Sequence, residues 1–296
     1  MEQESLWLGG LREPMRKAMI GFTALTGLVF LWIVLGNFFR EEPFGMFEMI
    51  RPTGWPLNTI MLVSMSLALV TASLYLSDTR GAIEIEPEGF FDIISLVLGR
   101  LTMIGIVLIV VVMFYEVVAR YVFSAPTLWA NELSWWIAAP VYLFAGLYAM
   151  QQRSHIRIYI IYDMMPRWMQ KTSDVISVSL ICVFVFALVW GGYNDAVRRM
   201  LRMETLGTAW DPPIPGTVKP MILIIIILVM LQAISNLIAD WNKVPEHHSP
   251  ADEIDETEIE HLKKAIDGDL SDTKPVDTAY YDPAAESRKD KDNTNG

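Results

Sequence analysis

Polar and apolar positions separate along this chain into blocks of about 20 residues, the length that crosses a hydrocarbon core. Uncharged apolar runs at residues 18–39, 55–77, 133–152, 175–194 and 220–239 read as membrane spans. A sixth span, third in order, covers 94–121. Its uncharged core, 101–115, is too short to cross alone, so Arg100 and Glu116 belong near the interfaces or against protein. The pattern predicts an all-α integral membrane protein of about six transmembrane helices. Three regions follow from it: a two-span hairpin with an acidic loop (1–92), a four-span core (93–243), and a polar tail (244–296). The first run is too long for a signal-peptide core, and Gly36-Asn37-Phe38-Phe39 is a poor cleavage site, so it is expected to be retained.

The tail carries 15 acidic and 6 basic residues, which accounts for most of the chain's net charge of −11. The acidity is therefore a tail property. Within it, 249–268 predicts a short helix: Ser249 as N-cap, Pro250 in the first turn, acids at the positive end, and Lys263 and Lys264 before Gly268. Residues 269–296 are expected to be disordered. Lys and Arg in the connecting loops number nine on the side shared by both termini and six on the other, which favours cytoplasmic termini.

Few residues offer chemistry. Three of the four histidines lie in the tail, leaving His155 without the partner a bis-His haem site needs, and Cys182 is the only cysteine. Zinc and iron–sulfur sites fail on the same count. No H-E-x-x-H, G-x-S-x-G or Walker motif is present, and no basic patch interleaved with aromatics suggests nucleic acid. Paired broken spans, the mark of an autonomous carrier, are also missing. No catalytic, cofactor-binding or metal-binding residue is assigned. A redox-complex membrane anchor and a stand-alone carrier remain as alternatives.

The distinctive stretch is the hairpin at 115–157. Glu116 and Arg120 are four apart with the acid first, the spacing of an ion pair on one helix face. Alternatively, Arg120 reaches Glu132 across the turn, or a partner subunit. Trp129, Trp135 and Trp136 read as an interfacial belt. Glu132 opens the fourth span, where it suits the helix N-terminus or locks two helices. His155 and Arg157 fix the exit turn, and the segment from Ile156 to Met169 reads as an amphipathic strip along the surface. Beyond the fifth span, Arg198, Arg199 and Arg202 form the basic face of a short surface helix. Glu204 and the stiff run Trp210-Asp211-Pro212-Pro213 follow. That loop is either simply solvated or a docking surface.

The order Arg120-Tyr121-Val122-Phe123, Pro126-x-x-Trp129-x-x-Glu132-Leu133, His155-Ile156-Arg157-Ile158 and Glu204-Thr205 before a proline-rich run resembles the small permease (Q-type) subunit of tripartite ATP-independent periplasmic (TRAP) transporters. The resemblance covers about 96–241. It departs at Tyr159, where the family often carries an acid, and in the extra hairpin and tail. It implies a non-catalytic scaffold in the bacterial inner membrane. A large permease would carry organic acids or similar solutes with sodium by an elevator motion. A periplasmic binding protein would deliver them, docking in part on Arg198, Arg199, Arg202, Glu204 and Asp211. Glu116, Arg120, Trp129, Glu132, His155 and Arg157 would hold the helices together or meet the large subunit. No cofactor is expected in this chain; sodium would sit on the large subunit, and lipid would surround both.

Overall fold

The computed structural model describes residues 5–40, 45–50, 56–79, 81, 84–153, 162 and 165–242. Six long helices are apolar enough to cross a membrane, and no strand occurs among the described residues. After a 3-10 turn at Gly9–Leu11 come α1 (Arg12–Asn37), a short α2 (Met46–Ile50), α3 (Pro56–Ser77), α4 (Phe90–Tyr121), α5 (Ala130–Gln151), α6 (Arg167–Leu201) and α7 (Ile214–Asp240). Met1–Lys243 forms one compact unit; the second, Val244–Gly296, lies outside the described residues, and with it the expected tail helix.

The long helices pack in a row of neighbours, closed into a triangle where α4, α5 and α7 meet. Going along it, α1 packs on α3, α3 on α4, α4 on α5, α5 on α7, and α7 on α6; α4 also approaches α7. Each span consequently buries only a minor part of its surface within the chain. Ile33, Met49 and Met61 form an apolar cluster of buried side chains where α1, α2 and α3 meet. Thr26 donates to Ser64 across the α1–α3 hairpin at 2.9 Å. Its open end is closed by Asp78, which accepts from the Ser5 hydroxyl and the Trp7 and Leu8 amides, each at 2.9 Å, and faces Arg12 at 3.5 Å.

Two boundaries differ from expectation for a physical reason. The fifth span was read as 175–194, but α6 runs for 35 residues, about 52 Å at 1.5 Å per residue. The apolar run marks only what lies in hydrocarbon, while both flanks keep helix-compatible residues. The surface helix expected around Arg198–Arg202 is therefore the end of α6, without a break at Gly191-Gly192. The last helix begins at Ile214, not Pro220, because Pro215 fits the first turn; Pro220 is carried inside the helix six residues on.

Close approach of α4 to α5 depends on two glycines. A Cβ on Gly99 would lie 2.5 Å from the Tyr148 ring, and one on Gly105 would lie 2.7 Å from Val141. Where the chain enters and leaves (the near end), polar clusters join the row. Arg100 donates to Glu84 at 2.5 Å and to the Thr79 carbonyl at 2.9 Å; Tyr148 also donates to Glu84, at 2.5 Å. Burial pushes the Glu84 carboxyl up, but the hydrogen bonds from Arg100, Tyr148 and the Gly81 amide outweigh it, so its pKa lies below the ordinary value. Gln232, fully buried on α7, donates to Asp92 at 2.5 Å and accepts from Ser95 at 2.9 Å, both on α4. Arg153 forks onto Asp240 at 2.6 and 2.9 Å, tying the end of α5 to the end of α7.

Candidate functional site

The opposite, far end holds most of the residues singled out in the sequence. Here α4 stops at Tyr121 and the chain turns through Ser124, which takes a left-handed φ of 52°. Glu116 lies one helical turn before the end of α4 and is buried; it accepts from Arg120 on its own helix and from both the hydroxyl and the amide of Thr127, the amide at 3.0 Å. One carboxylate thus closes the whole turn. Trp129 stacks on Tyr115 with ring centroids 5.7 Å apart, adding an aromatic seal. Arg120 makes no ion pair with Glu132, so the reading in which it bridges the turn is corrected in favour of the on-helix pair.

Glu132 points elsewhere. Although it opens α5, its carboxylate serves the connection between α6 and α7: it accepts from the Thr208 hydroxyl at 2.7 Å, the Trp210 amide at 3.3 Å and the Asp211 amide at 2.9 Å. Glu132 therefore ties α5 to the connection between α6 and α7 and not to α4. Glu132 is two residues into α5, on the face toward α7, whereas Glu116 faces the turn. Its partners are 76 to 79 residues away in sequence, so nothing local announces them.

Around that connection the packing is dense. Trp210 is buried and meets Trp136 edge-on at 6.3 Å, while Trp136 donates its indole N–H to Thr217 on α7 at 2.9 Å. Asp211, at φ 58°, turns its carboxylate back to the Gly207 and Thr208 amides at 2.7 and 3.3 Å. Gly216 allows the backbone of the loop to cross α7: its amide donates to the Glu204 carbonyl at 3.1 Å, and a Cβ there would meet the Glu204 nitrogen at 2.9 Å. Only Trp135 of the three tryptophans read as a belt is largely exposed.

The end of α6 carries a charged ridge. Asp195 receives Arg198 at 2.8 Å, Arg199 at 2.9 Å and Lys219 of α7 at 2.7 Å, and Arg199 also reaches Glu204 at 2.5 Å. Three cations thus share two carboxylates, and Arg202 beside them is exposed and outside every ion pair of the described residues. Asp195 and Lys219 were not among the residues marked from sequence. The spacing of Asp195 to Arg198 and Arg199, three and four residues on one helix, was the signal that could have found Asp195. His155 and Arg157 lie outside the described residues, as does most of the strip beginning at Ile156. Among the described residues no group of three or more His, Cys, Asp or Glu could hold a metal ion.

Row, rim and ridge define a helical membrane-spanning protein whose polar side chains serve contacts between its own segments. Residues 109–243 match the family model described as "Tripartite ATP-independent periplasmic transporters, DctQ component". Through that region the chain is similar to the DctQ family, the small permease subunits of TRAP transporters. No curated protein and no solved structure matches it. The matched region begins within α4, so α1 to α3 stand outside it.

Proposed function

We propose that this chain is the static, non-catalytic scaffold of an inner-membrane TRAP transporter: it braces the large permease subunit and presents its far rim to the periplasmic binding protein. Substrate and sodium chemistry then belong to the large permease and the binding protein, with organic acids or similar solutes as cargo. The termini lie in the cytoplasm, which places the ridge of Arg198, Arg199, Arg202 and Glu204, together with Asp211, on the periplasmic side.

The observation that carries this reading is the exposed face of α5 in the middle of the row. It presents Asn131, Trp135, Tyr142 and Gly146. Tyr142 is 77% exposed, its hydroxyl bonds to no described residue, and it lies nine residues, about 13 Å, from the nearer end of its helix. A phenol in mid-hydrocarbon needs a hydrogen-bond partner, and small residues beside it suit a neighbouring helix better than lipid. Co-expression with the large permease tests the reading. Both chains are expected to purify as one stable complex; a permease that is equally stable and active without this chain would contradict it.

A further inference from the structure

We infer that Glu132 is a positioning residue: through the connection at 204–213 it sets where the cationic ridge of α6 stands relative to α5. This rests on the docking role proposed for that ridge. The path is continuous. Glu132 holds Thr208, Trp210 and Asp211 by three hydrogen bonds. Asp211 in turn holds Gly207 and Thr208. The Glu204 backbone is fixed at both ends, donating to the Arg199 carbonyl at 3.0 Å and accepting from Gly216 at 3.1 Å. Its side chain pairs with Arg199, which shares Asp195 with Arg198 and Lys219.

Two features make Glu132 the controlling point. First, α6 reaches α5 by no comparable helix contact, so α5 acts on the ridge through α7 and through the loop, and the loop is the route that Glu132 controls. Second, the connection is bent against its preferences. Met203 and Asp211 both adopt left-handed backbone, φ 45° and 58°, in addition to Gly207 at 74°. Non-glycine residues persist in that region when their surroundings over-determine them. The buried carboxylate supplies that determination: it has no cation beside it, and its charge is answered by two backbone N–H groups and a hydroxyl. A ridge held in one place associates without first having to be ordered.

The test uses the full-length protein in nanodiscs and, separately, in complex with its permease. Glu132→Gln keeps the shape of the side chain but turns one acceptor into a donor that faces an N–H or the Thr208 hydroxyl. Hydrogen exchange at 207–211 is expected to quicken at least tenfold, with the 123–128 turn unchanged. Glu116→Gln should do the reverse, and Thr208→Val should repeat the effect of Glu132→Gln at smaller amplitude. In the complex, Glu132→Gln should slow capture of the binding protein about fivefold while the amount of co-purified permease stays the same. Combined with Arg202→Glu, it should add less than its separate effect, because both act on one surface. Unchanged exchange at 207–211 in both Glu132→Gln and Thr208→Val overturns the inference. Equal loss of capture and of permease would reduce Glu132 to a general structural role, which also overturns it. Faster exchange with capture unaltered supports Glu132 as the anchor of the loop but overturns the docking role of the ridge.

Discussion

Gly99→Ala is the sharpest perturbation the row of helices offers. The added methyl carbon would sit 2.5, 2.8 and 3.2 Å from three carbons of the Tyr148 ring. Carbon atoms rest at about 3.5–4.0 Å, so ring or helix must move by about 1 Å. The ring is not loose: its hydroxyl donates to Glu84 at 2.5 Å, and Glu84 is itself held by Arg100 at 2.5 Å and the Gly81 amide at 2.7 Å. Overpacking of this kind costs about 1–3 kcal/mol. Losing a hydrogen bond to a charged group adds about 1.5–3 kcal/mol if the ring yields. Replacing a helical glycine by alanine returns about 1 kcal/mol through the unfolded chain. The net expectation is a loss of roughly 1 kcal/mol from overpacking alone and roughly 3 kcal/mol if the Tyr148 bond breaks. Gly146→Ala is the matched control on the facing helix, since nothing lies within 4 Å of its Cβ position. There the alanine should be neutral or stabilising by up to about 1 kcal/mol. Unfolding of the isolated chain in mixed micelles compares the two directly. Gly99→Ala as stable as Gly146→Ala would refute the close approach of α4 to α5. Gly105→Ala, facing the stiff β-branched Val141 at 2.7 Å, repeats the test with the same expected sign.

Other outcomes follow from single groups. Glu84 has a lowered pKa, so the stability it contributes is fully present above its ordinary value of 4.5 and is lost as pH falls through the folded value. Wild type and Glu84→Gln should therefore converge in stability as acid unfolding proceeds below about pH 4.5, with wild type ahead above it; a gap that widens toward acid would reverse the sign. Tyr142→Phe and Gly146→Leu should leave the isolated chain as stable as wild type yet reduce the permease recovered with it, read by the ratio of the two chains after purification. Asp195→Asn should loosen the tie between α6 and α7 at low ionic strength. The difference from wild type should shrink at 1 M salt, where the screening length falls to about 3 Å; a salt-independent effect would point to packing instead.

Number and order of spans were legible in the sequence because a bilayer imposes them: an apolar run of the right length has few other uses. The Glu116–Arg120 pair was legible too, because four residues along a helix is a fixed distance. What escaped was everything set by how helices lean on one another. Glu132 sits at a helix start, where a carboxylate needs no further explanation, and only the folded chain brings 208–211 to it. Asp92 and Gln232 look like stray polar residues at the ends of two spans until α4 meets α7 and joins them across 140 residues. The ends of α6 were hidden for the opposite reason, since hydropathy reports the edge of the hydrocarbon and not the end of the helix. The family resemblance was carried by short motifs at the turns, and those turns are the places where Glu116 and Glu132 fasten backbone to side chain.

Solute uptake into proteoliposomes tests the scaffold role most directly. Vesicles would hold this chain alone, the large permease alone, or both, with binding protein and a sodium gradient outside. The account predicts no uptake with this chain alone, full uptake with both, and little or short-lived uptake with the permease alone. Uptake by this chain without the permease, or undiminished uptake by the permease without this chain, would contradict it.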